Sequence, residues 1–85
     1  LAGIRKACQK RPVSPKAMED LVDHIVATVT AKYESEVPGD FIGTLVMDGL
    51  REIDSVAYVR FASVYRRFKE ATDFVDEVNK LEARQ

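Results

Sequence analysis

The sequence predicts an all-α fold, a small bundle of about five helices. Three observations lead there. Apolar residues recur at helical spacing in five successive segments. Helix punctuation separates the segments, at Ser14-Pro15, Val37-Pro38-Gly39-Asp40 and Asp54-Ser55. No segment sustains the alternation of a strand, and no Asn-Gly or Asp-Gly pair joins two such runs.

The first helix is expected from near Leu1 to about Lys10. Leu1, Ile4, Ala7 and Cys8 form its apolar stripe. Lys6, Lys10 and Arg11 gather toward its C-terminal end, where cations suit the helix dipole. Pro12 stops it, because the residue before proline avoids the α region. Gly3 costs about 1 kcal/mol relative to alanine, which a close neighbour would justify. The stripe starts at once, with no cap ahead of Leu1, and reads as a helix without its natural start.

The second helix opens on Ser14 as N-cap and Pro15 as first helical residue. Met18, Leu21, Val22, Ile25, Val26, Val29 and Tyr33 make its face, and it fades after Tyr33. His24, which is the one histidine, borders that face and has no partner set for a metal. The third helix follows Pro38, with Phe41, Ile42, Leu45, Val46, Leu50 and Ile53 as apolar positions. Gly43 and Gly49 mark close contacts on it, or at Gly43 a ligand near the backbone.

The fourth helix, read over Asp54 to Phe68, is apolar almost all round and is therefore expected at the centre. Tyr58 and Tyr65 are seven apart on one face, as are Arg60 and Arg67. The basic set Arg60, Arg66, Arg67 and Lys69 reads as a solvated face or an anion site. The fifth helix follows Lys69-Glu70-Ala71, with Thr72 or Asp73 as cap. Phe74, Val75, Val78 and Leu81 form its stripe, and it frays over Glu82 to Gln85. The carboxylate pairs Glu19 with Asp23 and Asp73 with Glu77 are assigned to solvated faces.

Composition narrows the function. At 85 residues the chain is one domain. It buries roughly 60 to 65% of its unfolded surface. A formal net charge of −1 offers no overall attraction to nucleic acid. The one cysteine, Cys8, excludes an internal disulfide and a paired-cysteine zinc site, and reads as a core residue. No apolar run reaches the roughly 20 residues of a membrane span, so no membrane partner is expected. A reducing cytoplasm is the default compartment. One His and one Cys on different helices are too few for a catalytic set, and no phosphate-loop motif occurs. The chain reads as no enzyme, with no catalytic and no metal-ligating residues.

Three motifs carry a family resemblance. They are Lys10-Arg11-Pro12-Val13-Ser14, then Glu36-Val37-Pro38 with Ile42-Gly43-x-Leu45-Val46-Met47, then Val56-Ala57-Tyr58-Val59-Arg60-Phe61-Ala62-Ser63-Val64-Tyr65-Arg66. In that order they resemble the ATP-cone domain of the NrdR family, bacterial transcriptional repressors of ribonucleotide reductase genes. The resemblance covers nearly the whole chain. It implies that residues 1–85 are the C-terminal helical part of such a cone. It implies ATP or dATP as ligand, bound between these helices and a β cap. It implies homo-oligomers whose form depends on the nucleotide, and promoter DNA contacted through an N-terminal zinc ribbon. Neither the β cap nor the ribbon, with its zinc, is among these residues. By position in the motifs, Gly43, Tyr58, Arg60 and Tyr65 are the candidate nucleotide-binding residues, Arg60 alternatively being a structural arginine tied to an acid. A stand-alone helical interaction module, or a cone from a reductase, are the alternative readings.

Overall fold

The computed structural model describes residues 2–83. It contains five helices: α1 (Ala2–Ala7), α2 (Pro15–Lys32), α3 (Gly39–Ile53), α4 (Ser55–Tyr65) and α5 (Ala71–Ala83). No strand occurs among the described residues, so the all-α expectation holds. The expectations for Leu1 and for Arg84 and Gln85 lie outside them.

α4 is the central element. It packs against α1, α3 and α5, while α2 lies on α3. Its inward residues Ala57, Tyr58 and Ala62 are buried, and the two alanines let neighbours approach. The core continues through Ile4, Ala7 and Cys8 of the first segment, Leu21 and Ile25 of α2, and Val46, Met47 and Leu50 of α3. Burial, and after it the Asp54 charge, push the Cys8 thiol up, so it stays protonated and inert at neutral pH.

The starts of α2 and α4 follow the expected caps. The Ser14 hydroxyl accepts from the Ala17 amide at 3.0 Å, and Pro15 opens α2. Asp54 alone separates α3 from α4. It is the C-cap of the first and the N-cap of the second, accepting from the Ala57 amide at 2.9 Å. Tyr33 and Phe41 meet edge to face at 5.2 Å, which ties the α2 end to the α3 start. Asp48-Gly49, a pair that favours hairpin turns, lies inside α3. There Gly49 admits a methyl group of Leu21 where a Cβ would stand.

Two helices end sooner than expected. α1 stops at Ala7 rather than Lys10, and Lys10 takes a left-handed backbone with φ 59°. α4 stops at Tyr65 rather than Phe68. The Arg67 amide donates to Val64 O at 3.2 Å and the Phe68 amide to Ser63 O at 2.9 Å, with Arg67 at φ 54°. That is a Schellman ending with arginine where glycine is usual, so composition gives no warning of it.

α5 also departs. Neither Thr72 nor Asp73 is its cap: both sit in its first turn, and the Asp73 carboxylate accepts from the Lys69 and Glu70 amides at 2.9 and 3.2 Å. Of the expected stripe only Leu81 is buried. Phe74, Val75 and Val78 are exposed, and Glu77, assigned to a solvated face, is 2% exposed. Tertiary ion pairing, described next, turns the helix away from its periodicity.

Candidate functional site

α4 enters a groove of about 320 Å³ lined by Gly3, Lys6, Ala7, Arg60, Phe61, Val64 and Tyr65. Two cations and two aromatic rings therefore border one space. Phe61 and Tyr65, one turn apart, stack at 5.8 Å with their planes 21° apart. The Phe61 ring lies over Gly3, close enough that a Cβ there would press on it at 3.3 Å. This is the close neighbour that justifies glycine in α1.

Tyr65 is held from the other side by α3. Its ring occupies the space a Cβ of Gly43 would need, and its hydroxyl donates to Asp40 O at 3.4 Å. Tyr65 stays 39% exposed. Gly43 is thus the bed of the ring, and the backbone there meets the tyrosine rather than open groove.

Arg60 bonds backbone carbonyls and not an acid. Its Nη1 donates to Gln9 O at 2.6 Å and Ala7 O at 3.3 Å. Those carbonyls belong to the last residue of α1 and to the turn after it, where helical partners run out. A cation there also matches the helix dipole. Among the described residues these bonds use only Nη1, and Arg60 is one of the residues that line the groove.

Tyr58 lies elsewhere. It shares the α3-facing side of α4 with Tyr65, two turns earlier, but it is 1% exposed and lines no part of this groove. Its hydroxyl donates to Glu77 Oε1 at 2.7 Å and accepts from Arg51 Nη2 at 3.2 Å. Burial first, and then the bond to Glu77, push its phenol above the ordinary value, with Arg51 opposing. Arg66 Nη1 donates to both Glu77 oxygens at 3.1 and 3.2 Å. The basic set is therefore divided. Arg60 serves α1 and Arg66 serves α5, and they make no single cationic face.

The structure brings Arg60 and Tyr65 to one groove, sets Gly43 behind the Tyr65 ring and leaves Tyr58 in the interior. It adds Lys6 and Phe61. Lys6 had a sufficient explanation as a helix-end cation. The signal was the small pair Gly3 and Ala7, four apart, which marks the α1 face that admits a neighbour and places Lys6 beside it. The groove thus offers aromatic faces, which stack on planar groups, and two cationic side chains, which suit anions. At about 320 Å³ it is at the small end for a drug-sized ligand, about 300 to 1,000 Å³. Among the described residues no group of three His, Cys, Asp or Glu is placed to hold a metal ion. No described helix is long and apolar enough to cross a membrane.

The chain is similar in sequence to known proteins over most of its length. The chain is 48% identical over 83 residues to the transcriptional repressor NrdR of Clostridium tetani, spanning 98% of this chain and 55% of that protein. It is 51% identical over 81 residues to that of Alkaliphilus metalliredigens, covering 95% and 52%. It is 52% identical over 81 residues to that of Bacillus licheniformis, covering 95% and 53%. The chain thus spans about half the length of the curated relatives it matches. Residues 1–71, which hold α1 to α4 and the whole groove, match the ATP cone domain, and the chain belongs to that family.

Proposed function

We propose that this chain is the helical, nucleotide-sensing part of an NrdR-type transcriptional repressor of ribonucleotide reductase genes. It is not an enzyme. ATP or dATP is its ligand, and the groove between α1 and α4 is the floor of the site. The observation that carries this reading is the groove itself, with Lys6, Arg60 and the Phe61–Tyr65 stack, inside the stretch that matches the ATP cone. Tyr65 and Phe61 would face the base. Arg60 and Lys6 would meet phosphate oxygens. Gly43 would act through Tyr65, and Tyr58 through the packing of α4.

On this reading a cationic β cap closes the site from above and a zinc ribbon reaches promoter DNA, and neither is among these residues. Mechanism is then allosteric. A nucleotide that binds one assembly better than another shifts the population by that difference in affinity. The exposed apolar residues Val56, Phe74, Val75 and Val78 support a second copy of the chain as the assembly partner.

Calorimetric titration with dATP and ATP tests the proposal, with light scattering on the same samples. The 85-residue chain should bind weakly, and Tyr65→Ala should abolish what binding there is. Tight stoichiometric binding would mean that the helices need no cap. No response to Tyr65→Ala, in a chain extended to include the cap, would remove the groove from the site. A clean monomer at high concentration would count against the assembly.

A further inference from the structure

α5 stands apart from the rest of the domain. The ATP-cone match ends at residue 71, where α5 begins, whereas the repressor relative from Clostridium tetani matches over 83 residues and so through it. Of the buried apolar core among the described residues, Leu81 alone comes from α5. α5 packs chiefly on α4. Its other apolar residues, Phe74, Val75 and Val78, are exposed, with Phe74 making one edge contact to Phe68 at 4.9 Å.

What seats this helix is a carboxylate. Glu77 is buried, and it receives the Tyr58 hydroxyl and the Arg66 guanidinium, with Lys80 of α5 itself at 3.6 Å. Arg51 lies behind Tyr58, its charge 4.9 Å from the ring centre and its buried Nε without a partner among the described residues. A buried ion pair is costly to desolvate and stays closed only while every member is paired. Opening it returns the Glu77 carboxylate to water, where Arg66 already lies in part, and rehydration offsets some of the cost. On undocking, α5 gives up one core residue of its own, Leu81, and Tyr58 of α4 loses Glu77. The remaining core, on α1 to α4, keeps its own contacts.

We propose that α5 is a detachable helix, latched to the domain by Glu77 in the Tyr58–Arg66 seat, which opens as one unit while α1 to α4 stay folded. The proposal does not rest on the nucleotide reading.

Hydrogen–deuterium exchange on the 85-residue chain, resolved by segment, tests it. In the unmodified protein the α5 amides should exchange at least about tenfold faster than the slowest amides of α3 and α4, yet remain protected. Glu77→Gln keeps the shape and loses the charge. It should speed α5 exchange a further ~10- to 100-fold and leave α3 and α4 unchanged. Tyr58→Phe alters the seat from the α4 side and should shift exchange in the same direction, which keeps the test valid if the first variant folds poorly. Equal protection throughout, uniform acceleration of all helices, unprotected α5 in the unmodified protein, or no response to either variant would each overturn the latch.

Discussion

Gly43 shows how one missing carbon sets a site. The Tyr65 ring lies where its Cβ would be, so the ring's position depends on that absence. Two effects oppose each other in Gly43→Ala. Alanine favours the helix by about 1 kcal/mol. Overpacking a filled contact costs about 1 to 3 kcal/mol. The ring is part-exposed and has room to swing, so the low end of that range applies. The two nearly cancel, so the expected result is a stability change of no more than about 1 kcal/mol in denaturant unfolding, with Tyr65 displaced from Phe61 in ring chemical shifts. A stabilised variant with unchanged Tyr65 shifts would contradict the packing. At this scale the sequence names Gly43, Arg60 and Tyr65 through a motif. It gives no sign that Arg60 bonds backbone rather than an acid, since its partners Ala7 and Gln9 are more than 50 positions away and are ordinary residues.

Helix starts and helix ends differ in how openly the chain declares them. Ser14-Pro15 and Asp54 announce starts because a side-chain oxygen must take up free amides. The end of α4 is silent, because Arg67 fills a left-handed position that usually carries glycine. An L-residue there costs about 1 to 2 kcal/mol, and glycine costs about 0.5 to 1 kcal/mol in unfolded-chain entropy. Arg67→Gly should therefore stabilise the domain by about 0.5 to 1 kcal/mol. That raises the melting temperature by roughly 3 to 6 °C in a domain this size. Thermal unfolding checks it, and a fall in melting temperature would mean that the Arg67 side chain has a stabilising partner. α5 fails in the opposite way. Its stripe is clear by periodicity, but the buried position is Glu77, because Tyr58 and Arg66 hold a carboxylate there.

The domain as a whole is held together at Asp54. Its carboxylate receives Arg11 Nε at 2.9 Å and Arg11 Nη2 at 3.0 Å, which fixes the turn after α1 to the junction of α3 and α4. Arg11 first, then the Ala57 amide, hold that carboxyl below the usual aspartate range. A depressed carboxyl stabilises the fold above its unfolded pKa. That contribution is lost as pH falls through the folded value. Asp54→Ala should cost about 2 to 4 kcal/mol at neutral pH, from the lost cap and the lost charged hydrogen bonds. Asp54→Asn, which retains a cap, should cost less. Both variants should flatten the acid side of the stability profile, and a profile parallel to the unmodified chain would exclude Asp54 as its source. By itself the sequence determined five helices, most of their starts and the central place of α4, because capping and periodicity act within about four residues. Only the tertiary structure decided which face of α5 is buried, where Arg60 and Arg66 bond and which tyrosine borders the groove. Those choices depend on partners 11 to 53 positions apart, and no local preference encodes a pairing over such distances.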